Sequence, residues 1–341
     1  MNGFFIALVL CFVLTPLTIR FAQRFGLVDD PKKRYHPAQT HVGIVPRAGG
    51  IALYLSICIA SLIYAPWSYQ LFAILLASAI AVAVGVWDDY HDVSPYIRLF
   101  FNLVSALIVT VSGVSILYIT NPLGGILQLD SYIITVGTYA IPVIAAVAQL
   151  VWIVWMMNAI GWSAGVDGQL PGFVVISSIV IALVAGRFVA QDPSQVSTIT
   201  LALITAGAFA GFLPWNFYPQ RIMPGYGGKS LAGFLLAVLA VLSSAKVGTA
   251  LLVLSVPFVD GVFTLIRRIV MKKSPFQADR GHLHHILLSR GWGKRRVALF
   301  YWAFSAAMGI IALNVDSQGK VFAFLIAVLV LGGGLLFLRI Y

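Results

Sequence analysis

This chain contains no glutamate, and its 11 acidic residues are all aspartates. Charged residues of either sign make up only 10% of the 341 residues, whereas 60% are hydrophobic. So few charges exclude an ordinary soluble domain, in which about a quarter of the residues are charged. A charge at the edge of a hydrocarbon layer is costly, so aspartates beside apolar runs are candidates for function.

The chain also lacks a disulfide framework, internal repeats and linkers. Its cysteines, Cys11 and Cys58, both lie within apolar runs, so we expect them to be packing residues. We therefore predict a single integral membrane domain over residues 1–341. No basic segment stands free of the apolar runs, so the net charge of +11 favours membrane lipids and phosphorylated substrates as partners and not nucleic acid.

Long apolar runs occupy most of the sequence. A bilayer crossing takes about 20 apolar residues, and lipid requires that backbone polar groups be satisfied within the segment. These runs predict an all-α polytopic membrane protein with about eleven transmembrane helices. The predicted spans are residues 2–19, 50–66, 70–87, 99–118, 134–156, 173–190, 197–213, 230–244, 247–268, 297–314 and 320–339. Residues 119–133 are rich in turn formers and predict a loop or hairpin.

The distribution of lysine and arginine along the chain predicts its orientation in the membrane. Most of the 22 basic residues follow odd-numbered spans, above all in the segments 20–47 and 267–296. Because cytoplasmic loops carry an excess of Lys and Arg, we predict an outside N-terminus and a cytoplasmic C-terminus. We expect a multi-pass protein of the plasma membrane with its active site on the cytoplasmic face. The first span has no basic segment before it and no cleavage site, so we expect it to be retained.

The sharpest local signal lies in residues 86–99. Asp88 and Asp89 are adjacent at the end of the third span, and Asp92 follows one turn later. Carboxylates this close repel one another unless a cation is present. Mg²⁺ prefers oxygen ligands and typically uses one or two carboxylates together with substrate phosphates. The motif therefore predicts a magnesium site, and a solvated acidic turn is the alternative.

The other predicted cytoplasmic loops offer groups suited to a phosphorylated ligand. The planar fork of Arg matches phosphate oxygens, and a glycine-rich turn before a helix, with a nearby Lys, can cradle phosphate. The candidates are Arg34, His36 and Arg47; Asn158 and Asp167; Asn216, Arg221 and Lys229; and Arg280, His282, His284 and His285. Anchor loops, helix caps and plain turns stay open as alternatives. The three histidines lack the cysteine or carboxylate partners of a zinc site and fit diphosphate binding or proton handling better.

In the order and placement of these loops, the chain resembles the polyprenyl-phosphate N-acetylhexosamine-1-phosphate transferases. This family, glycosyltransferase family 4, includes the UDP-GlcNAc:undecaprenyl-phosphate enzymes and the phospho-N-acetylmuramoyl-pentapeptide transferase. The resemblance covers nearly the whole chain. The residues that match the five motifs of the family are Asp30, Pro31, Arg34, His36, Pro46, Arg47, Gly49 and Gly50; Asp88, Asp89, Asp92 and Pro95; Asn158, Asp167 and Gly168; Asn216 and Pro219; and Pro275, Asp279, Arg280 and His282–His285.

The resemblance implies a Mg²⁺-dependent transfer of HexNAc-1-phosphate from a UDP-N-acetylhexosamine to polyprenyl phosphate, such as undecaprenyl phosphate, releasing UMP. This would be the first membrane step of cell-envelope polysaccharide synthesis, and homodimerisation stays open. It also implies that Asp88 and Asp89 act in catalysis and hold the metal together with Asp167. The residues implied in substrate binding are Arg34, His36, Arg47, Asn158, Asp167, Asn216, Arg280, His282, His284 and His285.

The chain departs from the family pattern at three polar positions. Tyr226 replaces an aspartate implicated in holding Mg²⁺, and Gly161 and Ala164 replace an Asn and an Asp. A catalytically weak or inactive relative that binds lipid-linked sugars is therefore an alternative. A membrane prenyltransferase would need a second aspartate-rich motif beside another span, which we do not find. A transporter would need ionisable groups at mid-span; Asp260 comes nearest, and we expect it at the cytoplasmic side of a broken helix.

Overall fold

The fold is described from a computed structural model that covers residues 1–33, 39–121, 123–136, 139–243, 246–274 and 279–340. Within these ranges the protein is helical, with three small two-stranded antiparallel sheets. The helices are α1 (Asn2–Arg24), α2 (Gly49–Tyr64), α3 (Tyr69–His91), α4 (Pro95–Val111), α5 (Val143–Ser163), α6 (Gln169–Gly186), α7 (Gln195–Asn216), α8 (Gly225–Leu242), α9 (Lys246–Val253), α10 (Ser255–Val270), α11 (Leu283–Ser289), α12 (Lys294–Asn314) and α13 (Ser317–Ile340). The strands are β1 (Val28–Asp29), β2 (Val45–Pro46), β3 (Tyr118–Thr120), β4 (Ile126–Gln128), β5 (Ile133–Val136) and β6 (Tyr139–Pro142).

The helices confirm a multi-pass membrane protein. Eight of those described are long and apolar enough to cross a membrane, or nine if the bent pair α9 and α10 forms one span. The 83° bend between these two helices is the broken helix expected around Asp260. The apolar helices α2 and α4 are shorter, at 16 and 17 residues. The total of eleven spans and the orientation of the termini stay predictions.

One predicted span begins too early. Residues 134–142 were expected to be helical, but β5 and β6 pair there as an antiparallel hairpin, with Ile134 opposite Ile141. Helix α5 begins only at Val143. Isoleucine, valine, threonine and tyrosine favour strands, and hydrophobicity alone does not separate a strand from a helix in a short run. The hairpin of β3 and β4 agrees with the loop or hairpin predicted at 119–133.

Helix α8 lies at the centre of the bundle and packs against α2, α3, α5 and α7. It is the most buried of the candidate spans, whereas α1 and α13 lie at the periphery. The outer face of α13 exposes large apolar side chains such as Leu329 and Phe337. Exposed apolar side chains on peripheral helices are expected where lipid replaces water as the solvent.

Glycines bring α3 onto the beginning of α8. A methyl group at Gly85 would overlap backbone atoms of Gly227, and one at Gly50 of α2 would meet the backbone of Gly228. Small residues let helix backbones approach closely in membranes. This contact places the end of α3, which carries the two adjacent aspartates, against the first turn of α8.

Candidate active site

A cavity of about 570 Å³ lies where the ends of α3, α5, α7 and α10 meet the beginning of α8. Its lining includes residues from all five predicted cytoplasmic loops. The predicted site residues that line it are Arg47, Asp88, Asn158, Asn216, Lys229, His282, His284 and His285. Segments far apart in the sequence therefore converge on one polar site.

Backbone hydrogen bonds place the first loop beside α8. The Met223 amide donates to the carbonyl oxygen of Pro46 at 2.8 Å, and the Gly50 amide donates to that of Pro224 at 2.9 Å. The Arg47 amide donates to the carbonyl oxygen of Leu27 at 2.9 Å. These bonds join the first loop to the turn that precedes α8, and Arg47 thereby reaches the cavity.

Asp89 anchors the beginning of α8. Its Oδ1 lies 3.1 Å from Nη2 of Arg47 and accepts a hydrogen bond from the Tyr226 amide at 3.0 Å. A carboxylate at a helix N-terminus satisfies an unpaired N–H group and complements the helix dipole. Asp89 is buried and is absent from the cavity lining found in the described chain. Its contacts indicate a structural role beside the cavity.

Asp88 lines the cavity and pairs with Arg98. Nη1 of Arg98 lies 3.3 Å from Oδ1 and 3.5 Å from Oδ2 of Asp88. Only the longer contact has hydrogen-bond geometry, so Oδ1 has no hydrogen-bond partner among the described residues. The guanidinium of Arg98 also lies over the ring of Tyr226, 5.1 Å from its centroid. Nδ2 of Asn102 donates to the Tyr226 hydroxyl at 3.1 Å. Tyr226 therefore helps hold Arg98 next to Asp88.

Asp167 belongs to a separate group of contacts. Its Oδ1 lies 3.1 Å from Nζ of Lys294, and its Oδ2 accepts a hydrogen bond from the Gln220 amide at 3.2 Å. The next residue, Gly168, has φ +75°, and its amide donates to Oδ1 of Asn216 at 3.0 Å. Asp167 is buried outside the lining found in the described chain, whereas Asn216 lies on it.

The carboxylates expected to hold Mg²⁺ are each paired with a protein cation. The pairs are Asp88 with Arg98, Asp89 with Arg47, and Asp167 with Lys294. In the part of the chain that the structure describes, no three His, Cys, Asp or Glu side chains form a group that could hold a metal ion. Mg²⁺ needs oxygen ligands at near-ideal octahedral positions. The residues present do not fit the three-carboxylate site, and dependence on Mg²⁺ stays a prediction.

The three histidines also line the cavity, but they differ in their partners. Nδ1 of His282 lies 2.9 Å from Oδ2 of Asp260, and Oδ1 of Asp260 accepts a hydrogen bond from the Leu283 amide at 2.8 Å. Nδ1 of His284 and Nε2 of His285 have no hydrogen-bond partner in the described ranges. Burial and nearby cationic groups lower the pKa of His284 well below its ordinary value and that of His285 to about 4. Both rings are therefore neutral near pH 7.

Asn158 and Arg280 differ in their position relative to the cavity. Asn158 lines it, and its Nδ2 donates to the carbonyl oxygen of Val154 in its own helix at 2.7 Å. Arg280 is exposed and is not among the described lining residues. Arg34 and His36 lie outside the described residues.

Asp279, beside Arg280, also lines the cavity. Nη2 of Arg267 donates to its Oδ1 at 2.7 Å, and Nε of Arg268 donates to its Oδ2 at 3.0 Å. Burial acts to raise the pKa of Asp279, but hydrogen bonds from Arg267, the Gly281 amide and Arg268 hold that pKa well below its usual range. Asp279 is therefore a fixed anion that neutralises two arginines.

Sequence reasoning missed the partners that neutralise the aspartates. Arg98 and Lys294 are not among the predicted site residues, yet each contacts an aspartate of the site. The signal available for Arg98 was its place in the first turn after the aspartate motif. Lys294 carried no local signal, because its partner lies 127 residues away.

The chain has clear relatives among known proteins. The profile described as glycosyl transferase family 4 matches residues 71–244, which is just over half of the chain. A probable undecaprenyl-phosphate N-acetylglucosaminyl 1-phosphate transferase of Bacillus subtilis is 28% identical, over 92% of this chain and 84% of the relative. A decaprenyl-phosphate N-acetylglucosaminephosphotransferase of Mycobacterium leprae is 28% identical, over 91% and 81%. An undecaprenyl-phosphate alpha-N-acetylglucosaminyl 1-phosphate transferase of Thermotoga maritima is 28% identical, over 94% and 92%.

Proposed function

Since the chain belongs to glycosyl transferase family 4, we propose that it transfers N-acetylhexosamine 1-phosphate from a UDP-sugar to polyprenyl phosphate and releases UMP. The names of the relatives supply the class of acceptor and of sugar. The observation that carries the proposal is the convergence of five separated loops on one cavity at the ends of membrane-spanning helices. We expect a site at the ends of membrane-spanning helices to be accessible to a lipid phosphate from the bilayer and to a nucleotide from water.

The reaction is a phosphoryl transfer between two phosphate groups. An oxygen of the acceptor phosphate attacks the phosphorus that carries the sugar, and the bond between that phosphorus and the oxygen retained by UMP breaks. A lipid monophosphate has a second pKa of about 6, so it is largely deprotonated at neutral pH and needs no strong base. Catalysis of such a step depends mainly on positioning and on stabilising negative charge.

The charged residues of the cavity suit that task. Arg47, Arg98 and Lys229 line it and place positive charge near the position of a diphosphate. Asp88 lines the cavity, and its Oδ1 accepts no hydrogen bond from any described residue, so it can accept one from the sugar. His284 and His285, as neutral rings, can each donate one hydrogen bond to a phosphate or a sugar hydroxyl.

We place the cavity on the cytoplasmic side of the plasma membrane. The basic segments 20–47 and 267–296 contribute Arg47 and Arg268 to its lining, and cytoplasmic loops carry the excess of basic residues. This placement gives the site access to nucleotide sugars made in the cytoplasm.

An inactive relative that binds lipid-linked sugars is the second candidate. The observation that favours it is Tyr226, whose hydroxyl is hydrogen-bonded to Asn102 at the position where the family pattern has a carboxylate. Gly161 and Ala164, also in the lining, add no polar group to replace it.

Transfer measured on the purified protein in lipid nanodiscs separates the two candidates. With radiolabelled UDP-GlcNAc, undecaprenyl phosphate and Mg²⁺, the wild type is expected to form lipid-linked product and UMP. Asp88→Asn is expected to lower the rate by about a hundredfold, a loss typical for one electrostatic group of an active site. Asp316→Asn is the control, since Asp316 is exposed just before α13 and lies outside the described lining.

The other outcomes are equally distinct. An inert wild type together with an active Tyr226→Asp variant would establish the inactive relative. No product from either protein with a panel of UDP-sugars would contradict the transferase proposal.

A further inference from the structure

Four lysine or arginine side chains line the cavity in the described part of the chain, and three of them are neutralised. Arg47 lies 3.1 Å from Asp89, Arg98 lies 3.3 Å from Asp88, and Arg268 lies 3.0 Å from Asp279. The fourth is Lys229, whose ammonium makes no hydrogen bond or ion pair with any described residue. Among the described lining residues, Lys229 is therefore the cation without a bonded counter-charge.

Lys229 lies in the first turns of α8, three residues after Tyr226. The carboxylates of Asp88 and Asp89 attract the ammonium of Lys229, but each is already paired with a guanidinium. The guanidinium of Arg47 repels the ammonium. Residues three apart on a helix lie on the same face. An aspartate at position 226 would have given Lys229 a neighbouring carboxylate, and the tyrosine does not.

An ammonium in a partly enclosed site is costly unless an anion accompanies it. The beginning of α8 adds the positive end of the helix dipole at the same place, which also favours an anion. Any divalent cation entering here would meet Lys229, Arg47 and Arg98, and the carboxylates it needs are occupied by arginines. The balance of charge in this part of the cavity favours a phosphate over a metal ion.

We propose that Lys229 contacts the diphosphate of the nucleotide sugar directly, and that this chain binds its nucleotide sugar without a divalent cation. The inference rests on the proposed function and specifies how its donor is held. Lys229 is then the residue that substitutes, within the protein, for part of the positive charge that a metal ion would bring to a diphosphate.

Isothermal titration of the nanodisc-embedded protein with UDP-GlcNAc, in EDTA and in Mg²⁺, tests the inference. The wild type is expected to bind with the same Kd, within about twofold, in both conditions. Lys229→Met is expected to weaken binding at least about tenfold in both, because it removes a charge-assisted contact. Lys229→Arg is expected to stay within about threefold of the wild type, since it keeps the charge. Lys273→Met, an exposed site outside the described lining, is the matched control.

A second variant keeps the test independent of how Lys229→Met folds. Tyr226→Asp leaves Lys229 in place but gives it a carboxylate one turn away. We expect this variant to bind UDP-GlcNAc more weakly than the wild type in EDTA and to recover with Mg²⁺.

The outcomes distinguish this inference from the proposed function. Wild-type binding that disappears in EDTA and returns with Mg²⁺ overturns the inference and leaves the transferase proposal standing. Unchanged binding by a monodisperse Lys229→Met variant also overturns it. No binding of UDP-GlcNAc or UMP to the wild type in either condition overturns both.

Discussion

Two clusters of side chains share the cavity and are built in opposite ways. In the aspartate cluster (Arg47, Asp88, Asp89, Arg98 and Lys229), both carboxylates are paired with arginines, and the unmatched group is a cation. In the histidine cluster (His282, His284 and His285), Asp260 holds one ring, and each of the other two has a nitrogen without a hydrogen-bond partner among the described residues.

The two clusters differ in the groups that they present to a ligand. The aspartate cluster pairs opposite charges and joins α3, the first loop and α8 through contacts of Asp89. His284 and His285 present neutral hydrogen-bonding groups on a short helix, and the buried carboxylate of Asp260 holds the beginning of that helix in place. Charge is therefore set by the first cluster, and uncharged polar contacts to a ligand come mainly from the second.

We expect the largest loss of stability from a substitution that breaks the aspartate cluster. Asp89→Ala removes one member of a buried ion pair and the acceptor for the Tyr226 amide. Loss of one partner of a buried pair costs about 3–5 kcal/mol, because the other charge is left without a counter-ion. Thermal unfolding in detergent should show a large drop in Tm. Asp30→Ala, in a surface turn, should leave Tm nearly unchanged, and equal Tm values for the two variants would contradict the anchoring role.

We expect a smaller loss of stability where a glycine lets α3 approach α8 closely beside the aspartate cluster. A methyl group at Gly85 would overlap the backbone of Gly227, whereas one at Gly161 would meet no atom of the described residues within 4 Å. Gly85→Ala should therefore destabilise the fold by about 1–3 kcal/mol, as overpacking does. Gly161→Ala should leave the Tm unchanged. The same unfolding assay checks both, and a neutral Gly85→Ala would show that α3 and α8 can separate freely.

We expect the smallest changes in stability in the histidine cluster, where two variants distinguish a residue that anchors the cluster from one that contacts the ligand. Asp260→Asn should lower stability by about 1–2 kcal/mol, since it weakens buried hydrogen bonds to His282 and the Leu283 amide. His285→Gln should leave stability unchanged, because Nε2 of His285 has no partner among the described residues. It should instead raise the KM for the UDP-sugar. The hypothesis fails if His285→Gln changes Tm while leaving KM at the wild-type value.

The membrane class and the loop motifs could be predicted from the sequence because each has a local signal. Apolar runs located the spans, and the adjacent aspartates marked Asp88, which does line the cavity. The helical prediction for residues 134–142 failed because a hairpin of β-branched and aromatic residues is as apolar as a helix. Hydrophobicity alone did not distinguish them.

The ion pairs could not be predicted, since they join residues distant in the sequence. Asp89 meets Arg47 through the docking of the first loop on α8, and Asp167 meets Lys294 through the packing of α12 on α6. The sequence shows three aspartates without cations beside them, and a metal ion is the natural expectation. Tertiary contacts supply those cations from the protein instead.

The contact between Lys229 and the diphosphate is tested most directly by locating the bound nucleotide sugar. A cryo-electron microscopy map of the nanodisc-embedded protein with UDP-GlcNAc, prepared in EDTA, should place the diphosphate in the 570 Å³ cavity within hydrogen-bond distance of Nζ of Lys229. Nucleotide density elsewhere on the protein, with Lys229 free of phosphate, would contradict it.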